Sequence, residues 1–386
     1  MSLQPKQEVN KKYINVGITG QSGFIGTHLY NTLALKKDEI WLIPFSDDFF
    51  VSKEKLAAWA KQCDVIVHLA AVNRHASEDV IYNTNIGLVE MLISAMESVK
   101  KTPHIIFASS VQEDKDNPYG KSKKVGREML ESWAQKNKAG FTGLIIPNVF
   151  GPFGRPYYNS VVATFCHQLS HNEQPQIQID GKINLIYVGE LVDRIYKIIL
   201  GHEFSPAKTV FVPHSYTRKV SEILTLLETF KSSYFDQGIF PLLADVFELK
   251  LFTTFLTYFD LKNYFPVKLK QNIDDRGSFV EAIKLNSGGQ VSFSTTKPGV
   301  TRGNHFHTRK IERFIVMKGE AVIRLRHTGT EEILSFNLNG NEPAYVDMPI
   351  WYTHNITNVG SDDLITMFWI NELFDASDPD TYYENV

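Results

Sequence analysis

Three residues between positions 110 and 123 have the types and the spacing needed to protonate a carbonyl oxygen. Tyr119 and Lys123 stand four residues apart in a helix-like run, so their side chains face the same way on adjacent turns. We expect the Lys123 ammonium to lower the pKa of the Tyr119 phenol, which could then give its proton to a carbonyl that receives hydride. Ser110 ends the preceding apolar run, and its hydroxyl could bond the same oxygen. A Tyr–Lys pair alone more often marks a solvated helix face, so this interpretation depends on its surroundings.

Those surroundings include a glycine-rich turn near the start of the chain. Gly20, Gly23 and Gly26 lie between the first apolar run and the first helix-like run, where backbone N–H groups and the helix dipole can hold a dinucleotide pyrophosphate. A tight turn without a ligand is the alternative, and the strand–turn–helix context favours the nucleotide site. Asp47 and Asp48 lie about 20 positions further on, where an acidic residue would hold a ribose hydroxyl and favour NAD. A solvated turn would explain these two acids equally well.

A second set of residues, far along the chain, has the pattern of a metal site. His305 and His307 are separated by one residue, which places both imidazoles on the same face of a strand. Glu312 and His354 can reach that face from neighbouring strands. Three nitrogen ligands and one carboxylate suit zinc or another divalent transition metal. Histidines buried for packing alone are the alternative, which the spacing makes the weaker one.

Apolar runs alternate with helix-like stretches through the first 150 residues. This alternation predicts an α/β fold with a doubly wound parallel sheet of Rossmann type. Residues 25–35 and 119–135 are the clearest helical patterns, and the text from 151 to 265 is helix-rich, which we interpret as a substrate-binding lobe. The apolar runs, which we expect to form the strands, are 13–18, 40–45, 64–71, 103–110 and 144–150.

The pattern changes near residue 268. From Asn272 onward the chain has many short alternating segments separated by turn residues, without helices between them, which predicts an all-β barrel. The sequence therefore predicts an N-terminal tail at 1–12, a dinucleotide-binding domain with its substrate lobe at 13–265, and a barrel at 266–386. The clearest alternating segments are 290–294, 314–317, 321–325 and 364–369.

The bulk composition excludes several classes of protein. A formal net charge of −3 gives no electrostatic reason to expect nucleic acid or an anionic membrane as partner. The two cysteines, Cys63 and Cys166, form no CxxC pattern, which speaks against a disulfide framework and against a thiolate zinc site. No apolar run is long enough to span a bilayer, and the N-terminus has no signal core. We therefore expect a cytoplasmic protein.

The N-terminal motifs resemble the extended short-chain dehydrogenase/reductase family. This resemblance implies that Tyr119 is the general acid, that Lys123 orients the nicotinamide ribose and that Ser110 holds the substrate. Many relatives have Arg where this chain has Ile145, which puts a phosphate or ribose contact there in question. The resemblance also implies a substrate contact for Asn148. It rests on the segments 19–26, 68–71, Asn85, Ser110, 119–123 and 147–151, and it implies cofactor contacts for Gly20, Gly23, Phe24, Ile25, Gly26, Leu69, Ala70, Ala71, Asn85, Tyr119 and Lys123.

The C-terminal motifs resemble the cupin superfamily. Gly299, Gly319 and Pro349 fall at the expected spacing around the histidines, and Trp351 replaces a glycine that is usual there. A finer resemblance points to the deoxysugar 3,5-epimerase branch, in which the first histidine of the pair is the base. His305 therefore has two candidate roles, metal ligand and base, and a metal-bound imidazole cannot readily serve as both. That branch implies that the nucleotide sugar is held by Arg276, Phe279, Glu281 and Arg302.

Taken together, both halves resemble the CapF-type bifunctional enzymes of capsular polysaccharide and O-antigen synthesis. The likeness implies a UDP-linked 4-keto-6-deoxy-N-acetylhexosamine as substrate, C3 epimerisation in the barrel and reduction of the ketone with NADPH. The product implied is UDP-2-acetamido-2,6-dideoxy-L-talose, a precursor of N-acetyl-L-fucosamine. The likeness also implies a homodimer. Two alternatives stay open: a reductase whose metal-bound barrel is only a dimerisation module, and a nucleotide-sensing protein without turnover.

Overall fold

A computed structural model describes residues 13–201 and 208–386, so the predicted tail at 1–12 lies outside the described residues. The chain forms two compact units. Of the described residues, the first comprises 13–150, Tyr157–Ser160, 183–201 and 208–217, and the second comprises Gly151–Pro156, Val161–Lys182 and Arg218–Val386. The second unit thus contains helices that the sequence analysis grouped with the dinucleotide-binding domain. A domain division at residue 265 stays a prediction.

Strands and helices alternate through the first 219 residues. In chain order these elements are β1 (Ile14–Thr19), α1 (Phe24–Ala34), β2 (Ile40–Ile43), α2 (Lys53–Ala60), β3 (Val65–His68), α3 (Glu78–Ser98), β4 (His104–Ser110), α4 (Pro118–Asn137), β5 (Phe141–Ile146), β6 (Asn148–Phe150), α5 (Val161–Ser170), β7 (Lys182–Tyr187), α6 (Val188–Ile199), β8 (Lys208–Phe211) and β9 (Tyr216–Lys219).

The main sheet of the first unit has six parallel strands in the order β2-β1-β3-β4-β5-β8. One face packs on α1 and α6 through a core that includes Val16, Leu29 and Ile195, and the other packs on α2, α3 and α4 through Phe107 and Leu130. The predicted doubly wound sheet is therefore confirmed. Strand order reverses between β1 and β3, and the carboxyl ends of strands at such a switch point form the usual ligand crevice.

The apolar run predicted as one strand at 144–150 is two strands. β5 ends at Ile146 in the main sheet, and β6 begins at Asn148 and pairs with β7 instead. Pro147 stands between them, and proline has no N–H to donate to a strand ladder. The single-strand prediction was wrong for this reason.

The remaining elements belong to the second unit, where a six-residue π-helix, Lys231–Asp236, follows the first helix. They are α7 (Val220–Phe230), β10 (Ile239–Phe240), α8 (Val246–Leu256), α9 (Leu261–Tyr264), β11 (Val267–Lys268), β12 (Gln271–Asp274), β13 (Gly277–Val280), β14 (Lys284–Leu285), β15 (Gln290–Thr296), β16 (Thr301–Phe306), β17 (Glu312–Lys318), β18 (Glu320–His327), β19 (Ile333–Asn339), β20 (Ala344–Met348), β21 (Tyr352–Asn358), β22 (Leu364–Ile370) and β23 (Tyr382–Tyr383).

Two five-stranded antiparallel sheets, β11-β20-β17-β22-β15 and β19-β18-β21-β16-β23, make up most of the β-rich part, and β12-β13 and β10-β14 form two further pairs. Alternate residues of these strands are buried in a shared core that includes Ile315, Ile323 and Val346. The predicted all-β domain is thereby confirmed. Also on β17, the buried Arg313 makes two hydrogen bonds to Asp347 on β20, and Asp347 also accepts one from Tyr234 of the π-helix.

Among the residues that the structure describes, none of the helices combines the length and the apolar character that crossing a bilayer would require.

Candidate active site and metal site

The glycines of the β1–α1 turn are required by the geometry around them. Gly20 has φ +68°, and a Cβ there would lie 2.7 Å from the backbone nitrogen of Ala70. A Cβ on Gly26 would lie 2.1 Å from the carbonyl oxygen of Gly20. The turn therefore packs directly against the segment that follows β3, which brings Leu69 and Ala70 beside it. Phe24 and Ile25 are partly buried against the core below.

The first turn of α1 offers free backbone donors. Gly23 caps the helix without a side-chain hydrogen bond, and no acidic residue lies in the first turn. The first N–H groups of a helix have no partner within it, and the dipole adds partial positive charge there. This end of α1 can therefore bind a phosphate group, as predicted from the glycine spacing.

Lys123 is buried among aromatic rings of the first unit. Its Nζ lies 4.3 Å from the centroid of the Phe107 ring, and only 3% of the residue is exposed. Phe107 stacks on His68 with centroids 5.7 Å apart, and His68 Nδ1 lies 2.7 Å from the Thr19 hydroxyl. Burial lowers the pKa of Lys123 to about 7, against the opposing charge of Glu113. Burial and the Lys123 charge lower the pKa of His68 to about 3, which leaves that imidazole neutral.

Tyr119 begins α4, whose start is fixed by Asn117 and Pro118. Asn117 accepts a hydrogen bond from Gly120 N at 2.8 Å, and Pro118 occupies the first turn. Burial raises the pKa of the Tyr119 phenol to about 12, while a hydrogen bond from the Asn73 side chain acts in the opposite direction. The expectation that Lys123 lowers the pKa of Tyr119 was therefore wrong for this structure, because burial destabilises the phenolate and Lys123 contributes no opposing shift.

Ser110 lies at the carboxyl end of β4, as predicted. Its Oγ accepts a hydrogen bond from Gln112 N at 3.2 Å, so the hydroxyl hydrogen can still be donated. The neighbouring Ser109 donates to Glu113, which also accepts three hydrogen bonds from Arg127 on α4. This network ties the end of β4 to α4, the two elements that carry Ser110, Tyr119 and Lys123.

Asn85, for which a cofactor contact stays a prediction, has its side-chain amide bonded within the protein. Its Oδ1 accepts from Val72 N at 2.7 Å, and its Nδ2 donates to Val72 O at 3.0 Å and to the Ser122 hydroxyl at 2.9 Å. The structure places Asn85 as a brace between α3, α4 and the segment after β3. Ala71 directly precedes Val72, the residue whose backbone Asn85 binds.

The two acidic residues proposed to determine cofactor specificity have partners within the protein. Asp48 forms an ion pair of 2.7 Å with Lys55, and Asp47 accepts from the Ser22 hydroxyl at 3.4 Å. Both lie in a short 3₁₀ helix after β2. Their positions leave the preference between NAD and NADP a prediction.

The four predicted metal ligands of the second unit converge. The donor atoms of His305, His307, Glu312 and His354 all lie within 4.8 Å of one another. Glu312 Oε2 lies 2.9 Å from His354 Nε2 and 3.4 Å from His307 Nε2. His307 Nε2 is buried without a hydrogen-bond partner of good geometry among the described residues. An orphaned buried nitrogen facing a carboxylate and two imidazoles fits a divalent transition metal.

Two backbone carbonyls orient the histidines of this cluster. His307 Nδ1 donates to Asp380 O, and His354 Nδ1 donates to Tyr352 O at 3.0 Å. With the proton on Nδ1, the Nε2 lone pair of each ring points toward Glu312 and is available to a metal. Sequence reasoning missed Asp380, which lies far along the chain and also accepts backbone N–H groups of Thr308 and Arg309.

Burial and mutual contact set the protonation states of these ligands. Burial, together with the charges of His354 and His307, lowers the pKa of His305 to about 4. Although burial opposes it, the neighbouring imidazoles of His307 and His354 hold the pKa of Glu312 well below its usual range. A neutral imidazole and a charged carboxylate are the forms that bind metal.

Among the described residues, no hydrogen bond joins the predicted sugar-binding residues of the barrel to the clustered histidines. Arg276 and Phe279 lie on the exposed β12–β13 hairpin, where Arg276 bonds Asp274. Glu281 forms an ion pair of 2.9 Å with Lys284. Arg302, on β16, donates to Thr296 and to the Thr295 carbonyl. In the first unit, Asn148 is exposed and donates to Asn184 O at 3.1 Å.

Comparisons with known proteins agree with this two-part arrangement. Residues 16–212 match the NAD dependent epimerase/dehydratase family, and residues 272–382 match the polysaccharide biosynthesis C-terminal domain. A protein of Pseudomonas aeruginosa, UDP-2-acetamido-2,6-beta-L-arabino-hexul-4-ose reductase, is 34% identical over 370 residues, which cover 96% of this chain and 98% of that protein. The chain is a CapF-type member of the NAD dependent epimerase/dehydratase family.

Solved structures of CapF give the same result. The capsular polysaccharide assembling protein CapF of Staphylococcus aureus is 37% identical, with a TM-score of 0.60 and coverage of 97% of this chain and 100% of that chain. CapF with the inhibitor 3-isopropenyl-tropolone is 34% identical, with a TM-score of 0.54 and the same coverage.

Membership in the NAD dependent epimerase/dehydratase family implies a nicotinamide cofactor, and the first unit fits one. The glycine turn lets the backbone approach a pyrophosphate, because a side chain at Gly20 or Gly26 would fill that space. Lys123 and Tyr119 stand on the helix that follows β4, and β3 and β4 are adjacent in the sheet. The roles of these residues toward the cofactor stay predictions.

Proposed function

We propose that this chain performs two successive steps on one UDP-linked 4-keto-6-deoxy-N-acetylhexosamine: epimerisation at carbon 3 in the barrel, then reduction of the ketone. The product would be UDP-2-acetamido-2,6-dideoxy-L-talose, on the way to N-acetyl-L-fucosamine, and the reductant NADPH, with NADH as the alternative. The observation that carries the reductase step is the full-length likeness to a UDP-hexul-4-ose reductase, joined to the Ser110, Tyr119 and Lys123 arrangement.

The reductase step assigns one task to each residue of the first unit. When bound, the nicotinamide supplies hydride to the ketone carbon. Tyr119 gives its proton to the ketone oxygen, and the Ser110 hydroxyl donates a hydrogen bond to the same oxygen. Lys123 holds the nicotinamide ribose, and the Gly20–Gly26 turn holds the pyrophosphate. The near-complete burial of Lys123 excludes water from this part of the site.

The epimerase step relies on the same ketone. A carbonyl acidifies the neighbouring C–H bond, so that a base can remove the proton from one face and a proton can return on the other. His305 is the proposed base, and Arg276, Phe279, Glu281 and Arg302 are proposed to hold the sugar, with Asn148 a contact in the reductase site. Reduction then fixes the new configuration, because the ketone that permits exchange is gone.

His305, His307, Glu312 and His354 would hold a divalent transition metal, for which we propose zinc. Such an ion supplies a fixed positive charge in the buried cluster. CapF has been solved with the inhibitor 3-isopropenyl-tropolone, and tropolones chelate metal ions through two adjacent oxygens, which supports the proposal of a metal.

We further propose that the dinucleotide-binding domain spans 13–265 and the barrel 266–386, and that two copies of the chain pair. The family boundaries at residues 212 and 272 support a division in this region. Cys63 and Cys166 are buried and form no disulfide, which supports a reducing compartment such as the cytoplasm.

Replacing Tyr119 separates the two steps. We expect Tyr119→Phe to lower NADPH oxidation by about 100- to 10,000-fold, the usual contribution of a positioned acid. The same variant should still exchange solvent deuterium into the 4-keto sugar, measured by mass spectrometry without cofactor. Loss of exchange together with reduction would contradict the proposed division of labour, and retained reduction would refute the role of Tyr119.

A reductase whose barrel is only a metal-stabilised module is the second candidate. The convergence of all four donors, His305 included, favours it, because a histidine bound to metal is not free to act as base. Chelation distinguishes the two. If metal removal unfolds the barrel while pre-epimerised ketone is still reduced, the metal is structural; if the folded metal-free protein loses deuterium exchange, the metal site is catalytic.

A further inference from the structure

The loop that joins two of the proposed metal ligands is bonded to a single carboxylate. Residues 308–311 connect His307, which follows β16, with Glu312, which begins β17. Three successive backbone N–H groups of this loop, those of residues 308–310, donate to the Asp380 carboxylate at 3.1, 2.9 and 3.1 Å. Because the loop is short and its N–H groups share one acceptor, this carboxylate limits how far the two ligands can move apart.

Other contacts of this loop also lead to the C-terminal segment, residues 371–386. The N–H of Ile311 donates to the Asn371 side chain at 2.8 Å. The buried Lys310 ammonium donates to the carbonyl oxygen of Pro379 at 2.8 Å. All four backbone N–H groups between the two ligands are therefore bonded to side chains of one segment that lies about 60 to 70 residues further along the chain.

Asp380 also holds the His307 ring directly. Its carbonyl accepts from His307 Nδ1, while its carboxylate accepts a further hydrogen bond from the Thr308 hydroxyl at 2.7 Å. Asp380 is 3% exposed and has φ +42°, in the left-handed region that Asp adopts more readily than most residues. The strand that follows, β23, pairs with β16 and places Tyr383 opposite His305. One residue thus positions the loop through its side chain and the His307 ring through its backbone.

We propose that Asp380 is a positioning residue of the metal site, whose carboxylate holds the 308–311 loop so that His307 and Glu312 stand ready for a metal before one binds. The inference rests on the proposed divalent metal at this cluster. Successive backbone N–H groups form a concave site that commonly binds a free anion, and here a side chain of the same chain fills it. The cost of ordering the loop is therefore met on folding and does not weaken metal binding.

Two substitutions at Asp380 test this role while preserving the backbone. Glycine and asparagine both adopt positive φ readily, so Asp380→Gly and Asp380→Asn keep the conformation that directs the carbonyl toward His307. Asp380→Gly removes the acceptor of the loop N–H groups, and Asp380→Asn keeps one oxygen but loses the charge. We expect the Kd for Zn²⁺, measured by competition with a chromogenic chelator, to rise about 10- to 100-fold in Asp380→Gly and by less in Asp380→Asn. Asp375→Asn, an exposed acid of the same segment that accepts hydrogen bonds from Ser377, is the matched control and should keep the wild-type Kd.

Hydrogen exchange of the metal-free chain separates positioning from a general loss of structure. The N–H groups of residues 308–310 should be protected in the wild type and exchange at least about 10-fold faster in Asp380→Gly, with the exchange of β18 and β19 unchanged. An equal loss of protection in β18 and β19 would overturn the inference in favour of a purely structural role, and so would a wild-type Kd for Zn²⁺ in Asp380→Gly. Absence of Zn²⁺ binding by the wild type would instead refute the proposed metal site, and this inference with it.

Discussion

Lys123 is buried, and its ammonium group forms no ion pair within the part of the chain that the structure describes. The π face of Phe107 lies 4.3 Å from its nitrogen, and neutral His68 stacks on that ring. An aromatic face offsets only part of the cost of removing a charge from water. Burial of Lys123 therefore destabilises the folded protein, which is typical of side chains retained for function rather than for folding.

Because burying the Lys123 charge is unfavourable, we predict that the free energy of unfolding depends on pH. The pKa of Lys123 is about 7 in the folded protein against an ordinary value of 10.5, so between these values the unfolded chain binds a proton that the folded chain has lost. Wild-type stability should thus rise with pH in this window. Lys123→Met should raise the free energy of unfolding at pH 6.5 by on the order of 1–3 kcal/mol, an advantage that shrinks toward pH 10.

Urea denaturation of both proteins at pH 6.5 and 9.5 measures this difference. Lys123→Arg, which keeps the charge at both pH values, is the control and should show no such shrinkage. An advantage of Lys123→Met that grows with pH would contradict the burial of a charged amine.

At the scale of elements, the β1–α1 turn leaves little space for any added side-chain atom. A Cβ at Gly26 would lie 2.1 Å from the Gly20 carbonyl and 2.9 Å from Gln21 Cα, both of them backbone atoms that cannot move aside. Gly87, in the middle of α3, has nothing within 4 Å of its Cβ position. Two glycines with the same local freedom thus have opposite roles in the fold.

Alanine at these two glycines should act in opposite directions. Gly26→Ala should destabilise the protein by about 1–3 kcal/mol through overpacking and should weaken cofactor binding, because the turn must open. Gly87→Ala should stabilise it by up to about 1 kcal/mol through the loss of chain entropy in the unfolded state. Thermal unfolding and fluorescence titration with NADPH measure both effects. Equal tolerance of the two substitutions would show that the turn does not pack as described.

At the scale of the whole molecule, each compact unit has its own core and its own candidate site. The metal ligands come from three strands of the barrel, β16, β17 and β21, or from the residue that follows them, so a bound ion would join these strands. A ligand that binds only the folded state stabilises it by about 2.7 kcal/mol when its concentration is 100 times its Kd.

Removing the metal should therefore affect one unit. We expect Glu312→Gln to lose bound metal and to increase hydrogen exchange in β16, β17 and β21, with the exchange of β1, β3 and β4 unchanged. Glu342→Gln, an exposed acid of the same unit paired with Lys268, is the control. Metal content by mass spectrometry and exchange by peptide mapping test both points, and uniform loss of protection in both units would contradict this expectation.

Much of both sites could be predicted from sequence because their spacing is local. The glycine turn, the Tyr119–Lys123 pair and the His305–His307 pair each lie within one element or one turn, where helix and strand periodicity decides which side chains share a face. The end of β5 at Pro147 was also readable, since the missing N–H of proline is a local property, but the unbroken apolar run obscured it.

The amino-acid sequence by itself determined the doubly wound sheet, the β-rich second part and the residue types of both sites. Only the tertiary structure decided how those residues are charged and held. Burial raises the pKa of the Tyr119 phenol, and the Asn73 side chain lowers it. The carbonyl of Asp380 sets the ring orientation of His307. Desolvation and hydrogen bonds depend on contacts between segments that are distant in the chain and come together only when it folds. The periodic pattern of the sequence does not predict such contacts.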